Sequence, residues 1–127
     1  MQLKRVSRSN VDAQPNELAT NSAPVQSFAM DGYSITNSNT TDVFVHFYDS
    51  TSGTVTVGTT SRAYGAVLIP AAASGYSTQV VIRANDQSNP LQFFNTAITV
   101  AATTTESGST SPTSDVTVEL FYWSSSS

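Results

Sequence analysis

His46 is the only histidine in the chain, and it lies between Asp42 and Asp49 in a sequence rich in serine and threonine. These residue types are the ones that a Ser–His–Asp hydrolytic site requires. However, His46 occupies the middle of a strand-like run, on the face opposite Val45, and no nucleophile-elbow pattern lies near it. We therefore predict a surface or interface histidine in a protein that is not an enzyme.

The carboxylates are too scattered to predict a second kind of chemistry. From Asp31 onwards, all acidic residues except Glu119 fall in predicted loops or at strand ends, although glycoside chemistry would need a pair of them in one site. The spacing of a calcium-binding loop and that of a phosphate-binding glycine loop are both missing from the sequence. Asn39-Thr40-Thr41 is a formal glycosylation sequon, which has no meaning without a secretory route. We predict neither a cofactor nor a metal.

The composition describes one domain with a hydroxyl-rich surface and an uneven charge. Only 11% of the residues are charged, against about 25% in an average domain, and there is no cysteine for disulfides or thiolate chemistry. Lys4, Arg5 and Arg8 are three of the five basic residues, so the remainder sets two basic residues against nine acids. Three basic residues without interleaved aromatics argue against nucleic acid as a partner. No apolar run reaches the length of a membrane span, so we expect no membrane contact.

The chain divides into three parts. Residues 1–28 are polar, contain two prolines and lack an apolar period, so we predict an extended N-terminal arm that docks on an acidic surface of a neighbour. Residues 29–123 hold about seven short strand-like runs with turn residues between them, which predicts a single all-β domain, an antiparallel β-sandwich of the jelly-roll or immunoglobulin-like kind. Residues 124–127 form a serine tail. The runs are 32–37, 42–49, 54–58, 66–70, 77–84, 92–102 and 115–123, with a hairpin expected at 37–42.

Alternation assigns the side chains of each strand to two faces. One face of the run from residue 42 to 49 is purely apolar and should face the core, while the other carries Phe44 and Tyr48. Phe121 and Trp123 are outward in the same way on the last run, and two such aromatic rows predict a surface that a partner covers. The residues predicted to point inward are Val43, Val45, Phe47, Val80, Ile82, Ile98, Val100, Val116, Val118 and Leu120.

Three blocks of the sequence resemble small β-rich virion structural proteins of tailed bacteriophages, of the decoration or cement type. The blocks are SITNSNTTDVFVHFYD, VTVGTTSRAYGAVLIPAAA and residues 91–123, whose connection TTTESGSTSPTS departs from the acidic connection of that group. The resemblance implies a non-enzymatic accessory protein at the surface of a phage particle, bound to the major capsid protein or other virion proteins. The matching positions are Asn37, Asp42, Val43, Val45, Phe47, Tyr48, Asp49, Val57, Gly58, Thr59, Ile69, Pro70, Phe93, Ile98, Val100, Asp115, Val116, Val118, Leu120, Phe121 and Tyr122.

A second function class stays open, a carbohydrate-binding or adhesin-like β domain. Tyr48, Tyr64, Tyr76 and Trp123 would then be the aromatic platforms for sugar rings. For the virion protein we expect copies of the chain to associate as well, with a trimer favoured. The residues predicted to bind partners are Lys4, Arg5, Arg8, Phe44, Tyr48, Phe121 and Trp123.

Overall fold

The computed structural model describes residues 2–21 and 28–124, and these residues form two antiparallel sheets packed face to face. The all-β sandwich predicted from the strand spacing is therefore confirmed. A short 3₁₀ helix at Ser52–Thr54 is the only helical element in this part of the chain. The strands are β1 (Gln2–Val11), β2 (Asn16–Thr20), β3 (Phe28–Asn37), β4 (Val43–Tyr48), β5 (Tyr64–Ile69), β6 (Thr78–Arg83), β7 (Gln92–Phe93), β8 (Ala97–Thr103) and β9 (Val116–Ser124).

The strand order is that of a jelly roll. One sheet has the order β1-β9-β3-β6, with β7 also pairing with β3, and the other has the order β2-β8-β4-β5. Strands pair from the outside of the chain inward, β1 with β9, β2 with β8, β3 with β6 and β4 with β5, as in a long antiparallel ribbon wound into two sheets. Of the two sandwich types expected from the sequence, the topology selects the jelly roll.

The predicted N-terminal arm belongs to the sandwich itself, so the division at residue 28 was wrong for the described residues. The chain is extended there, but β1 pairs with β9 at the edge of one sheet and β2 pairs with β8 at the edge of the other. Val11 and Leu18 lie in the core, with 0% and 6% of their surface exposed. The few apolar side chains of residues 2–20 did not reveal these strands because edge strands bury little. Residues 22–27, and residues 125–127 of the serine tail, lie outside the described residues.

The core lies between the two sheets and contains most of the side chains that alternation predicted to point inward. Val43, Val45 and Phe47 from β4 and their counterparts on β8 and β9 are fully buried. Val80 is only partly buried against this cluster, and Ile82 is 40% exposed, because β6 is the last strand of its sheet.

One predicted connection and two predicted strands differ from the structure. Residues 37–42 are not a hairpin, since β3 and β4 belong to different sheets, and the buried Asn37 amide ties the crossing to the carbonyls of Thr41, Ile69 and Pro70. Residues 54–58 run from the end of the 3₁₀ helix into a turn and do not form a strand. The run 92–102 is divided between the sheets as β7 and β8, where the Asp49 carboxylate accepts hydrogen bonds from the backbone between them.

Candidate functional site

The outer face of the five-stranded sheet carries an apolar row that crosses four strands. The register places Leu3, Trp123, Ala29 and Phe93 side by side on β1, β9, β3 and β7. Leu3 is 41% exposed and Phe93 is 56% exposed, while Trp123 is half-buried between them. Large apolar side chains grouped in this way mark interaction surfaces more often than isolated ones do. We call this row, together with Phe121 and Arg83 beside it, the outer-sheet patch.

Arg83 lies flat across the sheet in the adjacent row. The register runs from Arg5 through Phe121 and Gly32 to Arg83. The Arg83 guanidinium carbon is 3.9 Å from the centre of the Phe121 ring, a cation–π contact. Gly32 makes this possible, because a Cβ there would lie 2.7 Å from Arg83 Cδ and would also collide with the Ile82 carbonyl oxygen.

Asp31 fixes the aromatic and the cationic side chains of the patch from below. It lies in the β-bulge between Met30 and Gly32 and is fully buried. Trp123 Nε1 donates to Asp31 Oδ1 at 2.9 Å, and Arg83 Nε donates to Asp31 Oδ2 at 2.7 Å. Burial acts to raise the pKa of Asp31, but these hydrogen bonds and the Arg83 charge outweigh it and lower the pKa. Asp31 is therefore an ionised anchor, whereas the sequence suggested only an ordinary loop or strand-end acid.

The three N-terminal basic residues do not form one cationic surface. Arg5 lies on the outer face and pairs with Glu119 at 3.3 Å. Lys4 and Arg8 follow the opposite, inward parity of β1 and are half-buried at the sheet edge. The predicted arm with a shared acidic target is thus replaced by an edge strand whose charges point to different sides.

The predicted aromatic face is also divided, since β4 and β9 belong to different sheets. Phe121 and Trp123 lie on the outer face of the five-stranded sheet, and Phe44 lies half-buried on the opposite side of the sandwich. Tyr48 is only 2% exposed, because the segment after β4 places Val55 over it. Alternation within a strand shows which residues share a side, but it cannot show which sheet the strand joins.

His46 is a buried histidine with both ring nitrogens occupied, and the expected surface or interface position is wrong. It is 2% exposed, with Nε2 2.7 Å from Thr103 Oγ1 and Nδ1 3.2 Å from Arg62 Nη1. Because the Thr103 hydroxyl donates its one proton to the Thr105 carbonyl at 2.6 Å, Nε2 must be the donor to Thr103. Arginine can only donate, so Nδ1 accepts, and the ring is the neutral Nε2–H tautomer.

Burial, followed by the nearby Arg62 charge, lowers the pKa of His46 from 6.5 to about 4. The ring therefore stays neutral at physiological pH. Its hydrogen-bond partners are a fully buried threonine and a guanidinium, so it does not contact the carboxylate that orients a triad histidine.

A polar cleft opens above His46 on the outer side of the four-stranded sheet. Its volume is about 230 Å³, and two loops, residues 58–62 and 106–108, line it together with His46 and Tyr48. Arg62 joins the loops by donating to His46 Nδ1 and to the Glu106 carbonyl at 2.8 Å. The solitary histidine in the sequence was a signal for this cleft, but the pairing of the two loops could not be inferred from it.

The formal sequon has a structural role. Asn39 of the formal sequon is 4% exposed, and its amide donates to Asn37 Oδ1 and the Ser114 carbonyl, both at 2.9 Å. The side chain that a glycan would need is therefore buried. Within residues 2–21 and 28–124, no three His, Cys, Asp or Glu side chains are grouped so that they could hold a metal ion.

Comparison of the chain with protein-family models, with curated proteins and with solved structures finds no match. No helix in the described part of the chain is long and apolar enough to cross a membrane.

Proposed function

We propose that this protein is a non-enzymatic structural component of a tailed-phage virion, a decoration or cement-type protein held on the capsid by the outer-sheet patch. The observation that supports the proposal most directly is the row Leu3–Trp123–Ala29–Phe93, which crosses four strands with Leu3 and Phe93 exposed, Trp123 half-buried and Ala29 covered. The sequence resemblance to small virion proteins is the reason for proposing a phage particle as the assembly to which the protein belongs.

The chemistry of the patch favours an apolar partner surface. The charged side chains in and beside it are paired within the molecule, Arg83 of the patch with Asp31 and the neighbouring Arg5 with Glu119. A face whose charges are already compensated offers little attraction to an acidic target, but it can bury aromatic and aliphatic area. Trp and Arg held in one orientation are also the residue types that most often dominate binding energy at interfaces. We therefore propose the major capsid protein or another virion protein, contacted through apolar side chains, as the partner.

The rigidity of the patch suits permanent attachment. The Trp123 indole and the Arg83 guanidinium are both held by the buried Asp31 carboxylate, so little rotamer freedom is lost when a partner covers them. Association of copies, with a trimer favoured, remains part of the proposal, and the particle surface is the proposed location.

The carbohydrate-binding alternative loses most of its predicted platforms. Tyr48 is buried, and Tyr64 packs edge-on against Tyr33 beside the core. Tyr76 is 73% exposed, but it is far from Trp123. It lies just before β6, whose first residue pairs with Asn37 at one end of β3, whereas Trp123 pairs with Ala29 near the other end. Eight residues of extended strand separate those two ends of β3, about 25 Å. The jelly roll itself occurs in both capsid and lectin domains, so the fold does not choose between the two functions.

Sedimentation of particles from the source culture tests the proposal. An antibody against the purified protein should detect it in the gradient fraction that holds intact phage, in a fixed ratio to the major capsid protein. The signal should survive a second gradient in high salt, because an apolar attachment is not screened by ions. Protein found only at the top of the gradient, or a ratio that varies between preparations, would rule out a virion component.

A further inference from the structure

The cleft above His46 has the chemistry of a small binding site. Apart from His46 and the edge of Tyr48, its wall consists of hydroxyls, glycines and two charged residues. Gly58 has a φ of +90° and sits where a Cβ would be 3.4 Å from the Gly108 carbonyl oxygen, so the two loops close on each other through their glycines.

Arg62 presents an unpaired positive charge to this cleft. Its Nη1 is held by His46 and by the Glu106 carbonyl, which leaves Nε and Nη2 without a hydrogen-bond partner in the described part of the chain. Within residues 2–21 and 28–124 Arg62 forms no ion pair, in contrast to Arg5 and Arg83. A guanidinium fixed on one side and open on the other is suited to a carboxylate, which it can bind through two hydrogen bonds.

The buried His46 side chain holds the Arg62 guanidinium in place. The chain of hydrogen bonds from Arg62 through His46 to Thr103 and the Thr105 carbonyl sets the direction of the guanidinium. Because the ring donates from Nε2, Nδ1 accepts from Arg62, and the histidine adds no second positive charge. The positive charge at the cleft therefore comes from Arg62, and Glu106 lines the wall with its carbonyl held by Arg62.

We propose that the cleft binds a sugar acid, a monosaccharide-sized ligand with one carboxylate and several hydroxyls. Arg62 would bind the carboxylate, and Glu106 with the threonine and serine hydroxyls would exchange hydrogen bonds with the ligand's hydroxyls. The net charge of −4 disfavours a doubly charged anion such as phosphate more than a singly charged one. A volume of about 230 Å³ is below the ~300–1,000 Å³ of pockets for drug-sized ligands, which limits the ligand to about one ring.

The cleft is independent of the proposed attachment. It lies on the outer side of the four-stranded sheet, whereas the outer-sheet patch lies on the opposite side of the sandwich. A copy attached through the patch would leave the cleft free, so sugar-acid binding and particle attachment succeed or fail separately.

Titration of the isotope-labelled protein with glucuronate, followed by NMR, tests the inference. The amides of Gly58, Thr60 and Gly108 should shift with saturation. Glucose, which lacks the carboxylate, and acetate, which lacks the ring, should each bind about tenfold more weakly or worse, because each makes only part of the contacts. Arg62→Gln should reduce glucuronate binding by about tenfold or more, while the matched change Arg8→Gln, outside the cleft, should leave it unchanged.

Three results would overturn the proposal. They are glucuronate shifts that do not saturate, glucose or acetate binding as well as glucuronate, and an Arg62→Gln variant that binds as the native protein does. The amide spectrum of Arg62→Gln away from the cleft serves as the check that this variant is folded. If it is not, Arg62→Lys, which keeps the charge but loses the two-pronged geometry, should bind more weakly than the native protein, and equal binding would exclude the site.

Discussion

At the scale of single residues, Asp31 and His46 show how burial changes the role of a side chain. Asp31 is one of nine acids in the sequence, yet it is buried in a β-bulge and holds two side chains of the outer-sheet patch in place. His46 suggested hydrolytic chemistry, yet its two nitrogens are hydrogen-bonded to Thr103 at the end of β8 and to Arg62 in the loop before β5. Neither role could be predicted from the sequence, because each depends on residues from distant strands that only the winding of the two sheets brings together.

Asp31→Asn should reduce the free energy of unfolding by about 3 kcal/mol, since the change removes the buried partner of Arg83 and leaves its charge uncompensated. The matched control is Glu119→Gln, which breaks the exposed pair with Arg5 and should cost less than about 1 kcal/mol. Urea unfolding of both variants at neutral pH measures the two costs. If Asp31→Asn proved no more costly than Glu119→Gln, Asp31 would not be the anchor described.

His46 should make stability depend on pH between its two pKa values. The folded pKa is about 4 and the unfolded value is 6.5, so the unfolded chain binds the proton first as the pH falls. The stabilisation is complete above pH 6.5 and is lost progressively towards pH 4, by about 3 kcal/mol in total. His46→Gln should show a smaller loss between pH 7 and pH 4.5 in urea unfolding. Parallel pH profiles of the two proteins would mean that His46 titrates normally.

At the scale of strands, the alternation of apolar side chains predicted which residues are buried, but it did not predict to which sheet each strand belongs. The inward residues of β4, β8 and β9 were predicted correctly because a period of two follows from strand geometry alone. The sheet to which each strand belongs depends on long-range pairing, so the aromatic rows of β4 and β9 were wrongly combined into one face. The N-terminal strands were missed because edge strands such as β1 carry polar residues on their exposed positions.

Val118→Asp should prevent folding. Val118 is fully buried in β9, a central strand of its sheet, and an unpaired buried carboxylate costs several kcal/mol. Thr117→Asp, the neighbouring residue on the outer side of the same strand, is the matched control and should fold. Circular dichroism and thermal melting distinguish the two variants, and a cooperative melt of Val118→Asp near the native temperature would refute the assignment of the core.

Deletion of residues 1–20 should also abolish the native fold. This segment supplies the edge strands of both sheets and the buried side chains of Val11 and Leu18, and its loss would uncover the edges of β8 and β9. Size-exclusion chromatography of the truncated protein should show aggregates or unfolded chain. A monodisperse product with a native β spectrum would instead favour the detachable arm that the sequence suggested.

At the scale of the whole molecule, the two outer faces differ in character. The face of the five-stranded sheet is an apolar patch with internally paired charges, and the face of the four-stranded sheet carries loops that enclose a polar cleft and leaves Leu68 exposed. The spacing of the strand-like runs was enough to predict a sandwich, and the choice between jelly roll and immunoglobulin-like winding required the pairing of β1 with β9 and β2 with β8. The functional proposal follows from this difference between the two faces.

Particle binding by two surface variants tests the central claim most directly. Phe93→Ser removes an exposed ring from the outer-sheet patch, and Leu68→Ser removes a similarly exposed apolar side chain, 49% exposed, from the four-stranded sheet. Both variants should melt as the native protein does. In co-sedimentation with particles depleted of the native protein, we expect Phe93→Ser to bind at least about tenfold more weakly, as when an aromatic residue that contributes strongly to an interface is truncated, and Leu68→Ser to bind normally. Normal binding by Phe93→Ser, or a loss confined to Leu68→Ser, would contradict attachment through the outer-sheet patch.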